Sequence, residues 1–154
     1  LWKGFILKIA ISSDHGGFEL KNYLINWLQK KNVEIIDLGN HVYDKNDDYP
    51  DFAIVLAEAV AAGKAERGIA ICGSGVGASI TANKIKGARA SVCHDTYSAH
   101  QGVEHDKMNI LCIGARIVGV ELAKELVSAF ITAKFINEDR FIRRIDKIIE
   151  LEKK

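Results

Sequence analysis

Proline is nearly missing: Pro50 is the only one in 154 residues. No Pro-rich linker, low-complexity run or internal repeat divides the chain, so it reads as one domain, residues 1–154. Cysteine is scarce and odd in number, three, without framework spacing. That excludes a disulfide scaffold and suits a reducing cytosol, hence a cytoplasmic protein. An excess of one charge is lacking too: 21 Lys and Arg face 20 Asp and Glu, a net +1. No bulk attraction to nucleic acid or to an anionic membrane follows from that balance. No run approaches the roughly 18 consecutive apolar residues that span a bilayer. The apolar stretch Leu1–Leu7 contains Lys3 and Gly4 and reads as neither a span nor a signal peptide.

What the chain has is 48% apolar residues in an alternating order, enough for a core. Phe5–Ser12, Val33–Leu38, Gly68–Cys72, Ala88–Cys93 and Asn109–Ile113 are short apolar runs and read as strands. Between and after them lie helical patterns: Phe18–Lys31, Pro50 to Gly63, Val76–Lys84, a short helix from Asp95 through Gly102, Gly119–Thr132 and Phe141–Leu151. Polar Gly39–Asp48 reads as a surface loop. Such alternation predicts an α/β fold: a doubly wound, mostly parallel five-stranded sheet, Rossmann-like, with helices on both faces and an added C-terminal helix.

Ligands of such sheets bind beyond the carboxyl ends of the strands. That rule collects Asp14, His15, Cys72 to Gly77, His94, Asp95 and Arg116 at one rim. The richest stretch is Ile71-Cys72-Gly73-Ser74-Gly75-Val76-Gly77. A buried strand ends in a thiol, a glycine turn follows, and a helix opens. Helix amino termini offer unpaired N–H groups and favour a thiolate. A small apolar residue closing a strand is the competing reading of Cys72. Cys93 and Cys112 lie within apolar runs and read as core.

Gly73-Ser74-Gly75-Val76-Gly77-Ala78 also fits the dinucleotide pattern G-x-G-x-x-A, with Asp95 20 residues beyond Gly75 as a ribose-binding acid. Against it, so short a chain leaves no room for a separate substrate domain, and the same glycines serve to hold an oxyanion. His94, His100 and His105 with Cys72 suggest a metal at first glance, but their spacings fit no zinc pattern. His41 reads as solvated. Asp14 suits a helix cap as well as chemistry, and His15 a surface position as well as a ligand. Arg140 and Arg144 share a helix face with a four-residue spacing, either as a solvated basic face or as a phosphate grip. Arg116 follows Gly114 at a strand end, and Asn109 opens the fifth strand. Ile142, Ile145 and Ile149 stripe the last helix with no later element to cover them, which predicts an interface and at least a dimer.

Ser13-Asp14-His15-Gly16-Gly17, the cysteine–glycine motif, Ala82-Asn83-Lys84, Tyr97-Ser98-Ala99 and Gly114-Ala115-Arg116-Ile117-Val118-Gly119 occur in one order. From about Lys8 to Ile148 the chain resembles the type B ribose-5-phosphate isomerase family, shared with galactose-6-phosphate isomerase. The resemblance implies an aldose–ketose isomerase of the pentose phosphate pathway without metal or cofactor. It also implies a homodimer or dimer of dimers with shared sites. Cys72 is then the base that moves the proton, Ser74 assists exchange between the oxygens, and the amides of Gly73, Gly75 and Gly77 hold the enediolate. Asp14 and His105 open the ring, His105 from the partner subunit. His15, Arg116, Arg140 and Arg144 bind the phosphate, the last two from the partner. Asn109 is expected to orient the adjoining loop and contribute to substrate binding. Two positions depart from the family pattern: Phe141 stands where histidine is frequent, and Asp106 where asparagine is.

Overall fold

A computed structural model describes residues 6–154. Phe5, the expected first strand residue, and most of the Leu1–Leu7 stretch lie outside the described residues. Five strands follow in the order β1 (Leu7–Ser13), β2 (Val33–Asp37), β3 (Arg67–Cys72), β4 (Ala90–Val92) and β5 (Ile110–Gly114). Six helices accompany them: α1 (Phe18–Leu28), α2 (Tyr49–Ala61), α3 (Val76–Ala82), α4 (Thr96–Asp106), α5 (Val120–Thr132) and α6 (Asp139–Leu151). The strands pair in the order β2-β1-β3-β5-β4, and every pairing is parallel.

The sheet is buried on both faces, as near-continuous apolar strands require. Ile9, Ile11, Ile69, Ile71, Leu111 and Ile113 face one core, closed by Leu24 and Leu28 of α1, Val103 of α4 and Leu126, Val127 and Phe130 of α5. Their strand neighbours Ala10, Ala70, Cys72, Ile110 and Cys112 face the other, under Leu56, Ala57 and Val60 of α2 and Ala78 and Ala82 of α3. The two-residue period of a strand sends alternate side chains to opposite faces. Cys72 therefore belongs to the α2–α3 side.

Between β1 and β3 the chain reverses its direction of travel across the sheet, because β2 lies on one side of β1 and β3 on the other. A crevice opens at the carboxyl ends of strands at such a switch point. Asp14 follows β1 and Cys72 ends β3, so both stand at this crevice.

Several boundaries shift from the sequence reading. Gly102 does not stop α4, which runs on to Asp106. A Cβ there would lie 3.0 Å from the Met108 sulfur, so this glycine serves close packing. α3 ends at Ala82 because Asn83 turns away: its amide donates to the Ala90 carbonyl and its oxygen accepts from the Ala90 amide, both at 2.8 Å. α1 ends at Leu28, before the expected Lys31. The expected stripe on α6 is only partly open. Ile145, with Phe141, is 2% exposed and packed within the chain, whereas Ile148, Ile149 and Leu151 are 41%, 37% and 64% exposed. The covering element is α4, which precedes α6 in the chain.

Candidate active site

Cys72 is 4% exposed at the tip of β3. The Gly75 amide donates to its sulfur at 3.1 Å. Gly75 has φ +82°, a left-handed conformation that turns the chain back over the thiol and that residues with a Cβ adopt at a cost. The Val76 amide donates to Ser74 Oγ at 3.2 Å, and Ser74 is exposed. Beyond this turn α3 begins, and its first amides have no intrahelical partner. The end of β5 supports the loop from beside it: Ala115 N–H donates to the Cys72 carbonyl at 2.8 Å and Arg116 N–H to the Gly73 carbonyl at 3.0 Å. Arg116 is exposed at this corner, its side chain next to Gly73.

The β1 corner meets the same loop. A Cβ on Gly16 would lie 3.2 Å from both Asp14 Oδ1 and the Gly73 nitrogen, so carboxylate and amide share one small space. Asp14 is 7% exposed and its Oδ1 has no hydrogen-bond partner. Desolvation raises its pKa above the ordinary carboxylate value; the charge of His15 opposes this and that of Asp47 adds to it. A buried, unpaired carboxylate oxygen is costly to keep for the fold alone. Its neighbour His15 binds Asp47 twice: Nδ1 lies 2.6 Å from Asp47 Oδ1, and the His15 amide donates to that oxygen at 2.9 Å. The Asp47 bond raises the His15 pKa, with the charge of Asp14 adding to it. Asn40 in turn donates to Asp47 Oδ2 at 2.8 Å and accepts from Ser13 Oγ at 3.2 Å. The segment 39–48, expected as a plain surface loop, is thus laced to the end of β1.

His105, Arg140 and Arg144 stand elsewhere. Asp95, beyond β4 at the carboxyl rim, caps α4, and α4 then descends about 1.5 Å per residue toward the opposite rim. His105 is in its last turn. The imidazole stacks on Phe141 of α6 with centroids 4.1 Å apart and planes 17° off parallel, and Gln101 lies 2.8 Å from its Nδ1. The Arg140 guanidinium lies 4.5 Å from the centre of the same Phe141 ring. One chain therefore presents two separate groups, one around Cys72 and one around Phe141.

A cleft of about 540 Å³ adjoins the first group, lined by His15, Gly16, Tyr43, Ala115 and Val120 among others. A larger one, about 760 Å³, runs along β4 between α4 and α6; of Cys72, Asp14, His15 and Arg116 its walls hold none, and those of the smaller cleft hold His15 alone. His15 in its wall, not its size, ties the smaller cleft to the group around Cys72.

The ribose/galactose isomerase family model matches residues 9–148. The chain belongs to the ribose/galactose isomerase family. The Escherichia coli (strain K12) protein named ribose-5-phosphate isomerase B is 43% identical over 147 residues, 96% of this chain and 97% of that one. A Pectobacterium atrosepticum protein named D-erythrulose-4-phosphate isomerase is 42% identical over 130 residues, 84% of this chain and 86% of that one. The solved structure of ribose-5-phosphate isomerase B from Mycoplasma genitalium with bound ribulose-5-phosphate matches with a TM-score of 0.92. It is 39% identical and the match covers 98% of this chain and 99% of that one.

Within this member of the ribose/galactose isomerase family, Asn109 departs from what the sequence led one to expect, while Asp95 and the other histidines have local tasks. Asn109 precedes β5 at its amino end, the rim opposite Cys72. Its carboxamide accepts from the Arg89 amide at 2.7 Å and donates to the Gly87 carbonyl at 2.9 Å. It braces the turn before β4 and is not placed to bind substrate in its own chain's crevice. Asp95 is not free to hold a ribose, because its carboxylate caps α4 through the Ser98 amide at 2.7 Å. His94 Nε2 accepts from the Gly114 amide at 3.0 Å, and His100 pairs with Glu104 at 3.0 Å. These histidines do not converge on Cys72. Asp14, His15 and Asp47 do converge, within 4.8 Å of one another. There the imidazole Nδ1 and the Asp47 oxygen are already joined, so this group reads as an ion pair. Asp47 and Asn40 escaped the sequence reading, since the Asp47–His15 contact spans 32 residues and the run Asn46-Asp47-Asp48 looks like ordinary surface.

Proposed function

We propose that the chain interconverts ribose 5-phosphate and ribulose 5-phosphate through an enediolate, acting as one isomerase domain over residues 1–154. The observation that carries this reading is the buried Cys72 thiol under the Gly75 amide, beside the unpartnered Oδ1 of Asp14. An isomerisation of this kind needs a base, an anion hole and a grip on the phosphate. Asp14 and the partner subunit's His105 open the sugar ring by moving a proton between the ring oxygen and the anomeric hydroxyl. The Cys72 thiolate then takes the proton from C2. The carbonyl electrons pass to the C1 oxygen, which backbone amides of the stretch Gly73 to Gly77 receive as an oxyanion. Ser74 relays a proton between the two oxygens, and Cys72 returns its proton to C1. His15 and Arg116 hold the phosphate together with the partner's Arg140 and Arg144. The redox balance closes within the substrate, so the step asks for no cofactor.

Support for sharing between subunits is the separation of the two groups within one chain. The enzyme works as a homodimer or dimer of dimers, in the cytoplasm, in pentose phosphate metabolism. Reduced, buried Cys72, Cys93 and Cys112 suit that compartment. No helix among the described residues is long and apolar enough to cross a membrane.

A shorter substrate is the second reading, supported by the relative named for D-erythrulose 4-phosphate. Galactose 6-phosphate is a third within the same chemistry. One assay separates them: supply ribose 5-phosphate, erythrose 4-phosphate and galactose 6-phosphate in turn and measure each ketose. Turnover of ribose 5-phosphate at the highest kcat/KM is the expected result. A nucleotide-binding module without catalysis is the outcome if none turns over and NAD alone raises the melting temperature.

A further inference from the structure

His15 reaches Asp47 through two atoms at once, its amide and its Nδ1, and both meet the same carboxylate oxygen. Such a chelate fixes the backbone and the ring together. Asp47 is itself held: its side chain is only 9% exposed, and its other oxygen accepts from Asn40. Asn40 is 4% exposed and doubly tied to β1, since its amide donates to the Ser13 carbonyl at 2.9 Å while Ser13 donates to its side chain. The chain Ser13–Asn40–Asp47–His15 therefore passes the rigidity of the sheet to one imidazole. With Nδ1 occupied, Nε2 is the ring nitrogen left to donate. Loop rigidity alone does not need a carboxylate 2.6 Å from an imidazole; a charge-assisted bond of that length serves a charged ring.

We propose that Asp47 is a positioning residue of the isomerase, holding the His15 imidazolium so that its Nε2–H is aimed at the substrate's phosphate. This rests on the reading that His15 contacts the phosphate. A metal ligand's histidine is commonly oriented by a carboxylate on its other nitrogen, and here the same arrangement serves an anion. The remaining charged or titratable groups around His15 are Asp14 on the β1 corner, Tyr43 edge-on at 6.4 Å, Glu19 and Tyr23 of α1 across the cleft, and Arg116 beside Gly73. None of these bonds the ring; Asp47 does.

The test compares Asp47→Asn with the parent and with Asp48→Asn. Asp48 removes the same charge one residue away, and its side chain caps no backbone amide. Two readouts are taken: KM and kcat for ribose 5-phosphate at pH 6 and pH 8, and the titration midpoint of the His15 ring by NMR. Asp47→Asn should lower that midpoint. It should raise KM about tenfold or more at pH 8, less at pH 6, with kcat within about threefold of the parent. Asp48→Asn should change neither readout. An unchanged midpoint and KM overturn the proposal and leave Asp47 a loop tie. A lowered midpoint with unchanged KM at both pH values also overturns it, by showing that His15 does not meet the phosphate. If Asp47→Asn does not fold, the parent alone decides: KM must rise with pH through the His15 midpoint, and a flat profile overturns the proposal. Turnover by the parent tests the isomerase reading separately from all of these.

Discussion

The Gly75 amide points at the Cys72 sulfur from 3.1 Å, across a turn that only a left-handed residue closes. The sulfur is thereby fixed at the mouth of the crevice with Asp14 on the adjacent corner. Cys72→Ser keeps shape and nearly keeps volume, so the fold should persist. A hydroxyl is a far weaker acid than a thiol, and almost no anionic base remains near neutral pH. Loss of a positioned base removes ~10²–10⁴-fold in rate. Turnover of correctly folded Cys72→Ser close to that of the parent is the result that sinks the cysteine base.

The other two thiols are the control. Burial pushes the thiols of Cys93 and Cys112 up, well so for Cys112 inside β5. Both are poor nucleophiles at neutral pH. Iodoacetamide should therefore inactivate the enzyme with label on Cys72 first, and ribose 5-phosphate should slow it. Peptide mapping that finds Cys93 or Cys112 labelled ahead of Cys72 contradicts the assignment.

Asp14 offers a prediction about stability as well as rate. Its pKa is raised in the folded state, so the folded chain holds that proton more readily than the unfolded one does. The contribution of Asp14 is favourable at low pH and is lost as pH rises through its folded value. Above that point a buried charge, only partly offset by the Gly16 and Gly17 amides and by His15, weighs on the fold. Asp14→Asn should raise Tm at pH 7.5 by roughly 2–4 °C, the effect of about 1 kcal/mol on a domain this size. The gain should vanish near pH 4, and isomerisation should fall sharply. His15 has a raised pKa as well, so its ion pair with Asp47 stabilises at low pH and fades as pH climbs through the His15 value. A Tm lower than the parent's at pH 7.5 for Asp14→Asn refutes the account of Asp14 as a group kept for chemistry.

Much of this arrangement is legible in the chain itself. The alternating apolar runs place five strands, and the glycine turn after Cys72 marks the crevice, because local spacing and turn chemistry determine both. The strand order is less accessible: β4 lies at the edge outside β5, and nothing local to Ala90–Val92 encodes it. Gly102 misleads because a packing glycine and a stopping glycine look alike until Met108 is seen against it. Asn109 misleads for a different reason. A polar residue next to a strand announces its chemistry but not which end of the sheet it serves. Asp47 is invisible because its partner is 32 residues away and its neighbours are equally acidic.

Phe141 bears on the last prediction. Its ring carries both the His105 imidazole and the Arg140 guanidinium, and Arg144 lies one helical turn beyond Arg140. All of these residues stand apart from their own Cys72, and the proposed shared site takes its thiol from one subunit and its arginines from the other. Arg140→Ala and Arg144→Ala should each raise KM by an amount worth ~1.5–3 kcal/mol, while Arg143→Ala, about 100° round the helix from Arg144, should be nearly silent. Mixing tests the sharing directly. Cys72→Ser subunits and Arg140→Ala/Arg144→Ala subunits should each be nearly inactive alone at low substrate. Refolded together in equal amounts, half of the dimers are mixed. In each mixed dimer one site collects both defects and the other collects none. Activity should return to about one quarter of the parent's. If each site belonged to a single chain, every site would keep one defect and mixing would restore nothing. A refolded mixture no more active than the average of its two components therefore rules out the shared site and the partner roles of His105, Arg140 and Arg144.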